Sequence, residues 1–236
     1  TKNGFHYEYH LVKTDAKDKS FEAFTLDSKT GLIKAKYDAN KPYANVGKTA
    51  TVRVTLVQGK DEVATLGFFT VHISQKDAVI KEFTSKNELK FTCDNRENAA
   101  AKYEANVADL ATELKAKAEL EANAWEFVKT GGELTQYTFD NNVARQAADA
   151  KKLGKVTLSA DGQKLVWDNI TKEQVADLKP GASVATYVKV QKKSDPNVRF
   201  YVKLTYNPAS EQAAPEATFA GERISNDWFK NNIRTD

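Results

Sequence analysis

Between Gly47 and Ile73 the chain reads GKTATVRVTLVQGKDEVATLGFFTVHI, and between Gly181 and Tyr206 it runs GASVATYVKVQKKSDPNVRFYVKLTY. In the first copy Val52, Val54 and Leu56 share one face of a strand, with Thr51, Arg53 and Thr55 on the other. Gln58-Gly59-Lys60-Asp61 makes a polar turn, after which Phe69, Val71 and Ile73 share a face opposed by Thr70, His72 and Ser74. A period of two on both sides of a turn predicts an antiparallel hairpin with one buried and one wet face. With Gly47 set against Gly181, Val54 falls on Val188 and Leu56 on Val190. A slightly shorter second turn brings Phe69, Val71 and Ile73 onto Phe200, Val202 and Leu204. Such self-similarity predicts an internal duplication of one β-unit.

The segments before each hairpin carry the same grammar. Thr25-Leu26-Asp27 leads through Gly31 to the apolar pair Leu32-Ile33, and Thr157-Leu158-Ser159 leads through Gly162 to Leu165-Val166. Asp27-Ser-Lys-Thr-Gly31 is turn chemistry: a short side chain that bonds its own backbone, then a residue able to take positive φ. Upstream, Phe5, Tyr7 and Tyr9 alternate with His6, Glu8 and His10 as a first strand. Three blocks follow: a β-unit over 1–76, a second over 77–207, and a 208–236 segment. The last opens with linker composition (PASEQAAPEA) and ends in a tail containing Trp228 and Phe229, or begins a further repeat. Strands are expected at Val79–Phe83 and Glu88–Cys93, and one short helix within Asp140–Lys152.

The period changes after Asp94. From Glu97 to Lys129 the chain is rich in Ala, Glu, Lys and Leu, which favours helix. Tyr103, Val107, Leu110, Leu114, Ala118, Trp125 and Val128 form an apolar stripe. Asp94 with Glu97 offers a capping-box start, Gly131-Gly132 a stop, and Glu113 with Lys117 an i,i+4 pair. The expectation is a helical insertion at about 95–130, packed against its own sheet.

TLDSKTGLIKAKYD followed by VGKTATVRVTLV resembles the bacterial immunoglobulin-like repeats, in which a turn of the pattern D..TG.I.A precedes a G.A.V.V.V strand. The likeness covers about Phe24–Ile73, and again Val156–Tyr206 once the insertion is set aside. It implies two tandem immunoglobulin-like antiparallel β-sandwiches, mainly β, the second with the α-helical insertion. It also implies an extracellular or cell-surface protein of the surface-layer or adhesin kind, acting in structure, assembly or partner binding.

Other classes find little support in the residues. The 35 Lys and Arg against 32 Asp and Glu show no basic run that would mark a nucleic-acid face. No apolar run reaches the length of a membrane span. Cys93 has no second Cys for a disulfide or a CxxC site and reads as a small buried hydrophobe. The chain opens on Thr1 without a leader-like segment and contains no Met, and it reads as a mature or excised piece of something longer. His6 and His10 share a face, but residues four apart on a strand lie about 13 Å apart, too far to chelate one ion. Asp27-Ser-Lys-Thr-Gly and Asp140-Asn-Asn fall short of a calcium loop. No nucleophile elbow, phosphate loop, zinc motif or dinucleotide fingerprint is present. The reading is therefore of a protein that is not an enzyme, with no catalytic residue, no metal and no cofactor. Its partners are other proteins or further copies of itself, with a glycan as the alternative. Trp125, Trp167 and Tyr187 are the candidate ligand-binding residues, as an aromatic platform for sugar rings in a carbohydrate-binding module.

Overall fold

The structure, a computed structural model, describes residues 4–13, 17–85, 102–171, 173–175, 178 and 182–207. Cys93, the Glu88–Cys93 strand, the Asp94/Glu97 helix start, Gly181, Trp228 and Phe229 lie outside the described residues. The fold is mainly β, in several antiparallel sheets, with one α-helix among the described residues.

Strands β1 (Phe5–Leu11), β2 (Phe24–Leu26), β3 (Ile33–Ala35), β4 (Thr49–Gln58) and β5 (Asp61–His72) lie within 1–76, termed the first unit, as 77–207 is termed the second. β1, β4 and β5 form one antiparallel sheet in that order, and β2 pairs with β3 as a separate ribbon. The turn between β2 and β3 forms as its residues dictate. Asp27 Oδ1 accepts the N–H groups of Lys29 at 2.9 Å and Thr30 at 3.0 Å, and Gly31 sits at φ +74°. β4 and β5 meet at the two-residue turn Gly59-Lys60. The hydrophobic cluster between sheet and ribbon is small: Ala23, Phe24 and Ala50, flanked by Leu11, Phe21, Ile33, Val71 and Ile73.

The second unit holds the larger core. Its long sheet runs β12 (Val143–Gln146), β11 (Gln136–Asp140), β15 (Val184–Lys192), β16 (Asp195–Tyr206), β6 (Val79–Thr84), with β8 (Trp125–Phe127) also on β15. All pairings in it are antiparallel except β6 on β16, which is parallel. A second sheet is ordered β13 (Lys155–Leu158), β14 (Lys164–Asp168), β7 (Tyr103–Asn106), and β9 (Lys129–Thr130) pairs with β10 (Glu133–Leu134). One continuous core joins the two larger sheets: Val188, Val190, Phe200, Val202 and Leu204 from one, Ala105, Val156, Leu165 and Trp167 from the other. The Asp140-Asn-Asn stretch is the β11–β12 turn, with Asn141 at φ +48° and Asn142 at φ +64°, the left-handed pair that a tight hairpin turn demands. A short 3-10 turn at Asp149–Lys151 falls in the polar stretch where a helix was expected.

The helix α1 (Val107–Ala118) is much shorter than the composition predicts. Tyr103 and Trp125, both placed on its stripe by sequence, lie instead in β7 and β8. Strand pairing of β7 with β14 and of β8 with β15 overrides the local helix preference at both ends. The helix stops where Glu119 takes the left-handed conformation at φ 56° and its N–H returns to the Lys115 carbonyl at 3.2 Å. Leu110, Leu114 and Ala118 point into the core, and Glu113 pairs with Lys117 at 2.8 Å as its spacing predicts.

The inserted helix also holds the first unit. Tyr43 N–H donates to the Lys117 carbonyl at 2.9 Å, and Lys41 pairs with Glu119 at 2.6 Å. The Tyr43 ring packs on Phe200 with centroids 5.2 Å apart. At the crossing between units, Asp77 accepts Arg199 Nε at 2.9 Å and the Ala144 N–H at 2.8 Å. Gly47 lies at φ +83° with the Val198 side chain where a Cβ would stand. Gly47→Ala thus meets both left-handed strain and overpacking, and is expected to cost about 2–3 kcal/mol, read as a lower urea midpoint at unchanged m.

Candidate interaction surface

The two hairpins that dominate the sequence meet opposite fates. β15–β16 has neighbours on both sides, and most of the apolar residues of β16 are buried. β4–β5 has β1 on one side only, so β5 is an edge strand twelve residues long. Nearly all of it is exposed, and the exposed positions include Val63, Leu66, Phe68 and Phe69. Phe68, at 63% exposure, is the most open of these four. This corrects the expectation of a strand with one buried face: only Val71 and Ile73 pack on the small core of this unit.

Two register shifts explain the departure. Val54 pairs with Gly67 but Thr55 with Thr65, leaving Leu66 as an extra residue; Leu56 pairs with Ala64 but Val57 with Glu62, leaving Val63 extra. Each bulge shifts the alternation by one residue. β4 has no extra residue, yet burial along it also changes face, from Ala50 and Val52 at one end to Thr55 and Val57 at the other. Gly67, inside an otherwise β-branched and aromatic run, was the sequence signal for a bulge.

The opposite border of the same sheet is β1. Tyr9 presses its ring against Gly31. Beyond it Phe5, His6, Tyr7, Tyr9, Lys29 and Leu56 line an open hollow of about 430 Å³. Along β1 Glu8 stands between two histidines: His6 Nε2 is 3.2 Å from Glu8 Oε1, and His10 Nε2 is 3.7 Å from Glu8 Oε2 and 3.2 Å from Thr55 Oγ1. Arg53 grips Glu62, and that hydrogen bond holds the Glu62 carboxyl below its usual range. Among the described residues, no group of three or more His, Cys, Asp or Glu is placed to hold a metal ion.

The three aromatic residues singled out by sequence do not come together. Trp167 is fully buried, its Nε1–H donating to the Leu153 carbonyl at 2.7 Å and its ring edge-on to Tyr206 at 5.5 Å. Trp125 is buried against Phe127, 5.3 Å between centroids. Neither offers a face to a sugar ring. Tyr187 is half-buried on the other side of the long sheet, in contact with Phe139 at 4.6 Å. Phe139 in turn touches Tyr201, and Tyr201 touches Tyr137. Burial pushes the Tyr201 hydroxyl up to about 12. Tyr187 alternates with the buried Val188 along β15; its partnership with Phe139, and through it with Tyr201, depends on strand order and was not visible.

A further residue that sequence reasoning missed is Gln136. It is buried and spends every polar atom: Nε2 donates to the carbonyls of Leu153 at 3.3 Å and Gly154 at 3.0 Å, while Oε1 accepts Leu153 N–H at 2.9 Å and Thr186 Oγ1 at 2.8 Å. A buried amide so fully used holds the 153–154 corner to the long sheet.

No family model and no curated protein matches the sequence. Among solved structures, extracellular domains 3–5 of Drosophila OTK align over 87% of this chain at 11% identity and a TM-score of 0.25. This chain spans 55% of that one. A likeness at that level carries neither fold nor function. Among the described residues, no helix is long and apolar enough to cross a membrane, a statement that leaves β-barrels aside.

Proposed function

We propose that this chain is a non-catalytic module of a cell-surface or exported protein, built of immunoglobulin-like units and acting in assembly. The observation that carries the reading is β5, a long edge strand with four large apolar side chains in water. Such an edge is a template for another strand, and soluble proteins ordinarily blunt it with charge or cover it. The occupant we assign is a second copy of this chain. β5 carries Asp61 and Glu62 at its start and His72 near its end, followed by Lys76. Two copies laid antiparallel set the acidic end of each against the His72–Lys76 end of the other, the self-complementarity that a two-fold interface requires.

Support for immunoglobulin-like units comes from the second one. Its sheets of β7, β14 and β13 against β6, β16, β15, β11 and β12 follow the division of an immunoglobulin-like sandwich whose first strand has moved to the edge beside the last. Helix α1 occupies the connection between the strands at the second and third places of that order. The bacterial setting rests on the resemblance of the turn and strand motifs alone.

Wild-type protein is expected to self-associate across the micromolar range in sedimentation velocity, while a Leu66→Ser, Phe68→Lys variant stays monomeric. Both side chains are exposed, so the thermal midpoint should move little, by about 0.5 kcal/mol or less in stability. A wild-type chain that stays monomeric throughout, or a variant that associates equally well, overturns the assignment. The glycan-binding alternative keeps one specific support, the Tyr187–Phe139 aromatic pair on the long sheet. It requires binding to a glycan array that is lost on Tyr187→Ala.

A further inference from the structure

The charge of the chain is unevenly divided. Residues 1–76 hold twelve Lys and Arg against eight Asp and Glu, while the whole chain holds 35 against 32. The first unit therefore carries all of the positive excess. Part of that excess converges on one cleft. Lys17, Lys19, Lys36 and Lys48 line an open hollow of about 510 Å³ together with Asp18, Ser20, Glu22, Ala23 and Asn45.

Backbone bonds fix the walls of this cleft. Lys36 N–H donates to the Ala23 carbonyl at 2.8 Å, and Asn45 Nδ2 donates to the Lys36 carbonyl at 2.8 Å. Those two bonds join the 20–23 turn, the end of β3 and the 45–48 turn. Lys48 is half-buried as a residue, and its Nζ donates to Asn45 Oδ1, a neutral acceptor, at 2.9 Å. Among the described residues, none of the four cleft lysines has a carboxylate within 4 Å. Nine described lysines outside the cleft, Lys41, Lys81, Lys102, Lys115, Lys117, Lys152, Lys155, Lys164 and Lys203, have one, and others such as Lys13, Lys34 and Lys60 show no such pair; what sets the cleft apart is that its lysines converge on one hollow. Asp18 is engaged instead by Ser20, whose side chain first and backbone N–H second (2.9 Å) hold its carboxyl below the usual range.

We infer that this cleft binds an oxyanion group, a phosphate, sulfate or carboxylate, between Lys36 and Lys48, with Lys17 and Lys19 at its mouth. A partly desolvated ammonium with a neutral partner gains more from a bound anion than a solvated one does, because the low-dielectric wall strengthens the charge-assisted hydrogen bond. Asn45 and Ser20 add polar groups at the same wall. The cleft has no aromatic lining, which separates it from single-strand nucleic-acid grooves, where bases stack on rings. The group belongs either to a free inorganic ion or to an acidic glycan, and the same site recognises both.

The test is a ¹H–¹⁵N titration of the whole chain with inorganic phosphate, followed by heparin and polygalacturonate as sulfated and carboxylated glycans. Phosphate is expected to shift amides of residues 17–23, 36 and 45–48. A Lys36→Gln, Lys48→Gln variant should weaken binding by about tenfold. Lys60→Gln, at the far end of β4 from Lys48, should change nothing and shows that total charge is not the cause. Saturation by phosphate alone assigns the site to a free ion, and tighter binding of either glycan assigns it to an acidic polymer. Shifts spread over all lysines, equal losses in Lys60→Gln and the double variant, or tighter binding of single-stranded DNA than of heparin would each overturn the inference. Thermal melts of the variants, expected to match wild type, separate a lost site from a lost fold.

Discussion

Replacing Leu110 and Leu114 together by Ala is expected to unfold the second unit at ordinary temperature. Both side chains are fully buried on one face of α1 and belong to the core that joins the two larger sheets. Each truncation removes buried methylene contacts and leaves a cavity that the surrounding strands cannot fill, at about 2–5 kcal/mol per site. The sum approaches the whole stability of an ordinary domain, about 5–15 kcal/mol. Far-UV circular dichroism in a urea series reads the result. Because α1 and its C-cap carry the Lys117 carbonyl and Glu119 that hold Tyr43 and Lys41, the first unit should loosen with it. Full thermal stability with a loss confined to oligomerisation would mean that this face of the helix meets another molecule instead.

Trp167→Ala is the second large effect, expected at about 3–5 kcal/mol. The indole fills the space between the sheets, stacks edge-on against Tyr206 and donates to the Leu153 carbonyl. Trp167→Phe should recover much of the loss, since the Leu153 carbonyl still accepts from Gln136 Nε2 at 3.3 Å. That graded series, Trp above Phe above Ala in thermal midpoint, separates a core residue from a ligand platform, for which all three would melt alike and only sugar binding would change.

The hairpins were legible because alternation and a two-residue turn are local. Gln58 and Asp61 pair across Gly59-Lys60 where the sequence put the turn. The helix was legible in its centre and not at its ends. Leu110, Leu114 and Ala118 keep their spacing, but Tyr103 and Trp125 answer to strands more than forty residues distant, β14 and β15. Local propensity cannot register such partners. The aromatic candidates failed for a related reason: composition counts tryptophans but does not say which side of a sheet they enter. The cleft lysines escaped because positions 17, 19, 36 and 48 form no run. They meet only once the 20–23 turn, the end of β3 and the 45–48 turn are bonded together. The open edge at β5 was hidden for the opposite reason. Its residues look like those of β16, and the missing neighbour strand together with the two bulges makes them different.

The parallel pairing of β6 with β16 has a mechanical consequence. β6 is where the chain enters the second unit and β16 is where its described part ends, and the two strands point the same way over Val79–Thr84. Tension applied between the start of β6 and the end of β16 pulls the strands along their lengths in opposite directions. The ladder bonds from Tyr201 to Thr205 then share the load at once instead of opening one after another from an end. Peeling loads one bond at a time; sliding must break the set together and drag Leu204 and Phe83 past their packed neighbours. A module threaded this way resists being stretched at its two chain ends far better than it resists being pried apart at β12, the opposite border of the same sheet.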